Sequence, residues 1–191
     1  RIKDLKIESG SFVGVVGRVG QENPLFYILF WGKSTKFKES LSVEAQPLYS
    51  SNFLVKKRNY QIKHYFLEEY EEDRYHEILR ICELETDLHI LGGGDLTEIG
   101  EKGVNLSGGQ KQRISIARAL YANADIYLID DCLSALDSYV GKNIFHNVLR
   151  KYLHEKGKTI IFVTNAIDYT DYCDRVIVMK EGKIIEDGRP D

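Results

Sequence analysis

The sequence predicts an α/β fold built on a mostly parallel sheet, and three observations carry that expectation. Short, nearly continuous apolar runs recur at Phe12-Val13-Gly14-Val15-Val16, Ile126-Tyr127-Leu128-Ile129 and residues 159–164, as expected of strands buried on both faces. Apolar stripes at helical spacing lie between them. The runs and stripes alternate, which is the order of a parallel sheet with crossover helices.

Each element follows from its residues. Phe12 to Val16 ends in Gly17 and reads as the first strand. Pro24 opens a short helix through Leu25, Ile28 and Leu29. From Glu71 a helix is expected, because Tyr75, Ile78, Leu79 and Cys82 fall at offsets 0, 3, 4 and 7. Gly92-Gly93-Gly94-Asp95 is a turn-rich connector. Ser107 stands before a second helix with Ile114, Ala117 and Tyr121 on one face. The strand at 126–129 ends in Asp130-Asp131. A long helix follows, with Val140, Ile144 and Val148 on one stripe and Phe145, Leu149 and Leu153 beside it. It stops at Gly157, a C′ glycine. Thr159 to Thr164 is another buried strand. Val176 to Met179 and Ile184-Ile185 flank Glu181-Gly182 as a hairpin.

Composition narrows the function classes. The 191 residues are 43% hydrophobic and 29% charged, which suits a globular domain with a core. Lys plus Arg number 26 and Asp plus Glu 29, a net charge of −3, which argues against a general nucleic-acid surface. Three scattered cysteines, Cys82, Cys132 and Cys173, form no C-x-x-C pair, so a disulfide scaffold and a zinc site are poor readings. A reducing compartment fits them better. The longest apolar run, residues 25–31, falls far short of the ~20 needed to cross a bilayer. Any membrane span belongs to another part of the polypeptide or to another chain.

The strongest chemical signal is Leu106-Ser107-Gly108-Gly109-Gln110-Lys111-Gln112-Arg113. Two glycines expose backbone N–H groups at a helix start, Ser107 adds a hydroxyl, and the helix dipole adds positive potential. Such a terminus suits phosphate oxygens. Asp130 ends a buried strand, where a carboxylate can hold a Mg²⁺-bound water beside phosphates. Upstream, Gly17-Arg18-Val19-Gly20 begins a phosphate loop and Gly32-Lys33-Ser34-Thr35 ends one. Eleven residues, 21–31, separate Gly20 from Gly32 where the pattern expects one. An insertion of that length, with Pro24 in it, is not expected to sit inside an intact nest of N–H groups.

These motifs together resemble the nucleotide-binding domains of ATP-binding-cassette (ABC) transporters. Residues 106–120 look like the family's signature motif, residues 126–131 resemble its Walker B strand, and Ser134-Ala135-Leu136-Asp137 resembles its D-loop. Residues 95–103 are similar to the segment before the signature in exporter-type cassettes. With Asp130-Asp131 they resemble the first, degenerate cassette of the multidrug-resistance-associated (C) subfamily. The likeness is dense from Glu71 to Gly188 and thinner before.

The resemblance implies a P-loop NTPase core with a parallel sheet and an inserted α-helical subdomain. It implies that 1–191 is one cassette lacking its N-terminal β part, with residues 47–125 as the helical, signature-bearing subdomain. ATP and Mg²⁺ are the implied cofactors. Gly17, Gly20, Gly32, Lys33, Ser34, Thr35 and Gln46 would bind nucleotide. So would Ser107, Gly108, Gly109 and Gln110. Ser34, Gln46 and Asp130 would face the metal, Gln46 being the Q-loop residue. Asp131 stands where the family usually has Glu, and Asn165 where it usually has His. Asp is one methylene shorter, and a misplacement of about 1 Å can cost ~100-fold in rate. Asn can donate a hydrogen bond but cannot shuttle a proton. Both catalytic positions, Asp131 and Asn165, therefore predict weak hydrolysis at this chain's own site. The implied partners are a second nucleotide-binding domain, dimerised head to tail, and the transporter's transmembrane domains. Nucleic acid is not among them. The implied place is the cytoplasmic face of a membrane. Two other readings use the same residues. A cassette-like regulatory or interaction module without nucleotide binding is favoured by the interrupted phosphate loop. A non-transporter ABC ATPase of the DNA-maintenance kind would need a long coiled coil, and no sustained heptads occur.

Overall fold

A computed structural model of the chain describes residues 5–17, 60–61, 71–99, 106–181 and 183–190. Two compact units are distinguished. One takes Arg1–Ser50, Asp125–Cys132 and Tyr152–Asp191, and the other takes Ser51–Ala124 and Leu133–Lys151.

The first unit is built on a five-stranded sheet of β1 (Phe12–Gly17), β4 (Ile126–Asp130), β5 (Thr159–Thr164), β6 (Arg175–Lys180) and β7 (Lys183–Gly188). The strand order is β4-β5-β1-β6-β7. Four strands run parallel, and β7 returns antiparallel along β6. Alternation along each strand sorts residues by face. On one face Val13, Val15, Leu128, Ile161, Val163, Ile177 and Met179 form a core cluster, closed over by Leu5, Ile7, Ile126 and Ile184. On the other face Phe12 meets Phe162 edge to face at 6.2 Å and His154 at 5.6 Å. Burial on both sides is why β1 and β5 read as continuous apolar runs. Gly14 lies on that second face, where a Cβ would stand 3.0 Å from Cys173 Sγ, so the thiol occupies the space a side chain would need. The Asp174 carboxylate ties the strands together by accepting the Phe12 N–H at 2.8 Å and bonding His154 Nε2 at 3.0 Å.

The second unit carries α1 (Glu72–Ile81), α2 (Glu85–Ile90) and α3 (Gly108–Tyr121), with a two-stranded ladder of β2 (Tyr60–Gln61) and β3 (Glu98–Ile99). The α1 stripe is buried as expected, with Tyr75, Ile78, Leu79 and Cys82 all inaccessible. It packs on α3 through Arg74, whose guanidinium lies 4.9 Å from the Tyr121 ring centroid and donates to the Tyr121 carbonyl. The Glu71 N–H also donates to the Tyr121 hydroxyl at 2.8 Å. Next comes α4 (Ser138–Ile144), capped by Asp137, which accepts from the N–H groups of Tyr139 and Val140 at 3.1 and 3.0 Å.

The long helix expected here is present but changes its winding. After Ile144 it continues as a π-helix over Phe145–His154. The buried residues Ile144, Phe145, Val148, Leu149 and Leu153 recur every four to five positions, a repeat compatible with the wider i→i+5 turn. Gly157 closes it in the left-handed region at φ +75°. The Gly157 N–H reaches the His154 carbonyl and the Lys158 N–H the Leu153 carbonyl, the double bond pattern of a Schellman end. The expected helix at Pro24 lies outside the described residues.

Candidate functional site

Because β1, β4 and β5 are parallel, their carboxyl ends share one edge of the sheet. The pairing sets Asp130 beside Val163 and Val16 beside Thr164. The ladder then runs one step further, as the Asp131 N–H donates to the Val163 carbonyl at 2.9 Å. Asp131 adopts φ +46°, a left-handed conformation that Asp tolerates better than most residues. On β5, the buried Thr164 turns its hydroxyl back to accept the Ala166 N–H at 3.0 Å. Asn165 is thereby left exposed on the bend. The edge thus gathers Gly17, Asp130, Asp131 and Asn165, four of the residues singled out from the sequence. In open α/β sheets, ligands bind outside the carboxyl ends of the strands. Cys132 follows directly and is fully buried. Desolvation pushes its thiol far above the ordinary value, and the Asp131 charge adds to that, so it is a neutral packing group.

The other set of candidates lies at the start of α3. Ser107 is the N-cap of a complete capping box. Its Oγ accepts the Gln110 N–H at 3.2 Å, and Gln110 Oε1 accepts the Ser107 N–H at 2.9 Å. Gly108 and Gly109 are the first two helical residues, so their N–H groups have no partner within the helix. They point with the positive end of the helix dipole, beside the Ser107 hydroxyl. Space around the two glycines differs. A Cβ at Gly108 meets nothing within 4 Å, whereas one at Gly109 would stand 3.2 Å from the Ala135 carbonyl oxygen and 3.6 Å from Leu136. Gly109 is therefore where the helix start and the 134–137 turn make close approach.

Gln110 has a second commitment that the sequence did not announce. Its Nε2 donates to Asp87 Oδ1 at 2.9 Å. Asp87 Oδ2 lies 2.7 Å from Arg113 Nη1, and Arg113 donates to the Glu83 carbonyl. The Glu83 carboxylate in turn accepts from Asn143 Nδ2 at 2.9 Å. Helix spacing gives no signal for this network, because Glu83 stands in the turn between α1 and α2 at φ +55°.

Gly20, Gly32, Lys33, Ser34, Thr35 and Gln46 lie outside the described residues. Gly17 and Asp130 are the described members of the expected phosphate-loop and metal sets. Among the described residues no cluster of His, Cys, Asp and Glu is placed to hold a metal ion by itself. Among them, too, no helix is long and apolar enough to cross a membrane.

Comparison with known proteins decides which family built these two arrangements. The family model described as ABC transporter matches residues 3–134. The chain belongs to the ABC transporter family. Several of its curated relatives carry C-family names. It is 45% identical to ABC transporter C family member 8 of Dictyostelium discoideum over 190 residues, covering 97% of this chain and 12% of that protein. It is 41% identical to ATP-binding cassette sub-family C member 2 of Rattus norvegicus over 186 residues, again 97% and 12%. It is 37% identical to ABC transporter C family member 5 of Arabidopsis thaliana over 188 residues, 98% and 12%. This ABC cassette sequence thus spans 12% of the length of those three relatives. The P-loop type of α/β sheet expected from the sequence is the fold found, with a carboxyl edge and a glycine-led helix in the two places where the motifs lie.

Proposed function

We propose that this chain is one cassette of an ABC transporter, that it binds Mg-ATP, and that its signature serves a nucleotide site completed by a second cassette. The observation that carries the reading is the start of α3. The Ser107 hydroxyl and the Gly108 and Gly109 N–H groups form a donor set at a helix N-terminus, a chemistry that fits phosphate. The capping box holds that set in place without using up the hydroxyl proton. In a head-to-tail pair the donors meet the nucleotide held on the partner's strand edge, and ATP then stabilises the assembly by binding the associated form more tightly than the single cassette.

On its own strand edge, Gly17 leads into the phosphate loop, with Gly20, Gly32, Lys33, Ser34 and Thr35 assigned to the phosphates. Asp130, with Ser34 and Gln46, would hold Mg²⁺, which neutralises phosphate charge when bound. Asp131 is a short carboxylate on a left-handed turn and Asn165 an uncharged amide on an exposed bend. Neither provides the reach or the proton transfer of Glu and His, so this edge holds ATP longer than it hydrolyses it. The unit of Ser51–Ala124 and Leu133–Lys151 then acts as the signature-bearing subdomain, and the sheet unit as the nucleotide core. Transmembrane domains of the same transporter and a second cassette are the partners, at the cytoplasmic face of a membrane.

A titration of the chain with Mg-ATP tests the binding step, with Lys33→Ala as control. Saturable binding that Lys33→Ala weakens supports the reading. No binding by the unmodified chain contradicts it, and favours the interaction-module reading suggested by the eleven residues between Gly20 and Gly32.

A further inference from the structure

Gln110 sits inside the signature, yet both ends of its side-chain amide are engaged within its own unit. Oε1 accepts the Ser107 N–H and Nε2 donates to Asp87. Asp87 divides its two oxygens: Oδ1 accepts from Gln110 Nε2, and Oδ2 faces the Arg113 guanidinium as an ion pair at 2.7 Å. Both ion-pair side chains are mostly buried, at 14% and 16% exposure. Among the described residues Arg113 Nε is buried with no hydrogen-bond partner, and the guanidinium is held there by Asp87 and the Glu83 carbonyl. An amide can present either end to a neighbour, but a carboxylate admits only the NH₂ end. Asp87 therefore sets which way round Gln110 lies. That orientation alone points the carbonyl oxygen at the Ser107 N–H and completes the capping box.

We propose that Asp87 is a positioning residue for the signature: through Gln110 it fixes Ser107 and the two glycine N–H groups in the geometry that grips phosphate. The proposal rests on the reading of the signature given above. Arg113 supplies the counter-charge, and the Glu83–Asn143 bond steadies the α1–α2 corner from which Asp87 projects.

Hydrogen-bond polarity gives a specific test. Asp87→Asn keeps the shape but removes the charge that faces Arg113, so its one oxygen cannot serve both the guanidinium and Gln110 Nε2. Either the amide of Gln110 turns over and opposes the Ser107 N–H donor to donor, or Arg113 loses its partner. Gln110→Glu alone sets two carboxylates against each other. The double variant Asp87→Asn/Gln110→Glu restores every bond. Glu accepts from Ser107 and from the new Asn amide, and the Asn oxygen accepts from Arg113.

In the full-length protein carrying this chain, each single variant is expected to lower kcat for ATP roughly 10-fold, and the double to return within about 3-fold of the unmodified protein. ATP affinity of the chain itself stays unchanged in all three. Unaltered kcat in Asp87→Asn overturns the proposal, as does a double variant no better than the singles, which marks general damage. If Asp87→Asn does not accumulate, Gln110→Ala carries the test, since it leaves the Asp87–Arg113 pair intact. The same fall in kcat is expected, and unaltered turnover overturns the proposal. Ser107→Arg separates the two levels of inference. Full turnover in that variant removes the signature reading and this proposal with it, whereas loss there with no effect at Asp87 removes the proposal alone.

Discussion

Gly108 and Gly109 are adjacent, chemically identical and both in the first turn of α3, yet alanine should affect them oppositely. At Gly108 a Cβ enters open space. There Gly108→Ala should stabilise the fold by about 0.4–1 kcal/mol, because alanine restricts the unfolded chain and no contact resists it. At Gly109 the Cβ would stand 3.2 Å from the Ala135 carbonyl oxygen, closer than ordinary van der Waals contact. That oxygen belongs to a backbone held on both sides: the Leu136 N–H bonds to the Leu133 carbonyl, and Asp137 caps α4. A side chain could swing aside, but this turn must move as a piece. Overpacking of this kind costs about 1–3 kcal/mol. Against the same entropic gain, Gly109→Ala should come out between neutral and about 2.6 kcal/mol destabilising. The two variants are to be compared by urea denaturation, reading the midpoint at unchanged m-value. Gly108→Ala should unfold at higher urea than the unmodified chain, and Gly109→Ala below Gly108→Ala by the overpacking cost. Equal midpoints would show that the 134–137 turn yields freely and that Gly109 has no packing reason to be glycine.

Two further outcomes follow from the strand edge and the hairpin. Asp131→Glu with Asn165→His should raise turnover by ~10²–10⁴-fold, the usual worth of acid–base assistance, but only with a competent signature supplied by a partner cassette. A rise in the isolated chain would contradict the shared-site reading. On the hairpin, Arg175 grips Asp187 through two bonds of 2.6 Å. Those bonds hold the Asp187 carboxyl below its ordinary value, against a smaller upward push from burial. Since the folded value is the lower one, the pair stabilises the fold at neutral pH. That contribution is lost as pH falls below the ordinary carboxylate range and through the folded value. Asp187→Asn should therefore lower stability at pH 7 by up to about 1 kcal/mol, with the difference closing in acid. A difference independent of pH in urea melts would refute the assignment.

What could be read from the sequence follows where burial writes a pattern. Phe12 to Val16 and Thr159 to Thr164 are covered on both faces, so their apolar runs are nearly unbroken. Helix α1 is covered on one side, so Tyr75, Ile78, Leu79 and Cys82 print a stripe. Helix α2 has no fully buried residue and only Asp87 and Leu88 half-buried, so no apolar periodicity announced it. The strands β2 and β3 are two residues long, too short for an alternation to be seen. The π-winding after Ile144 was missed because buried pairs four and five apart also suit an α-helical stripe. In the candidate site, Asp130, Asp131, Asn165 and Ser107 to Gln110 can be singled out from the sequence because each lies in a contiguous motif or at a strand end. Asp87, Glu83 and Asn143 cannot, because three separate helical segments must pack before those side chains meet. Glu83 stands in the turn between α1 and α2, so no helical spacing links it to Asp87 or to Arg113, which takes its backbone carbonyl.

The division of labour between the two halves of this cassette is tested most directly by turnover in the complete transporter, comparing Ser107→Arg with Asp131→Asn. Ser107→Arg places a bulky cation on the cap proposed to meet phosphate and removes the hydroxyl donor. It should lower ATP turnover by at least about 100-fold, as loss of a positioned donor does, while leaving ATP affinity of the isolated chain nearly unchanged. Asp131→Asn removes a carboxylate from an edge already ill equipped for hydrolysis and should cost far less. Equal loss from the two substitutions would contradict the account, because it would mean that this chain's own strand edge carries as much of the catalysis as the signature it lends.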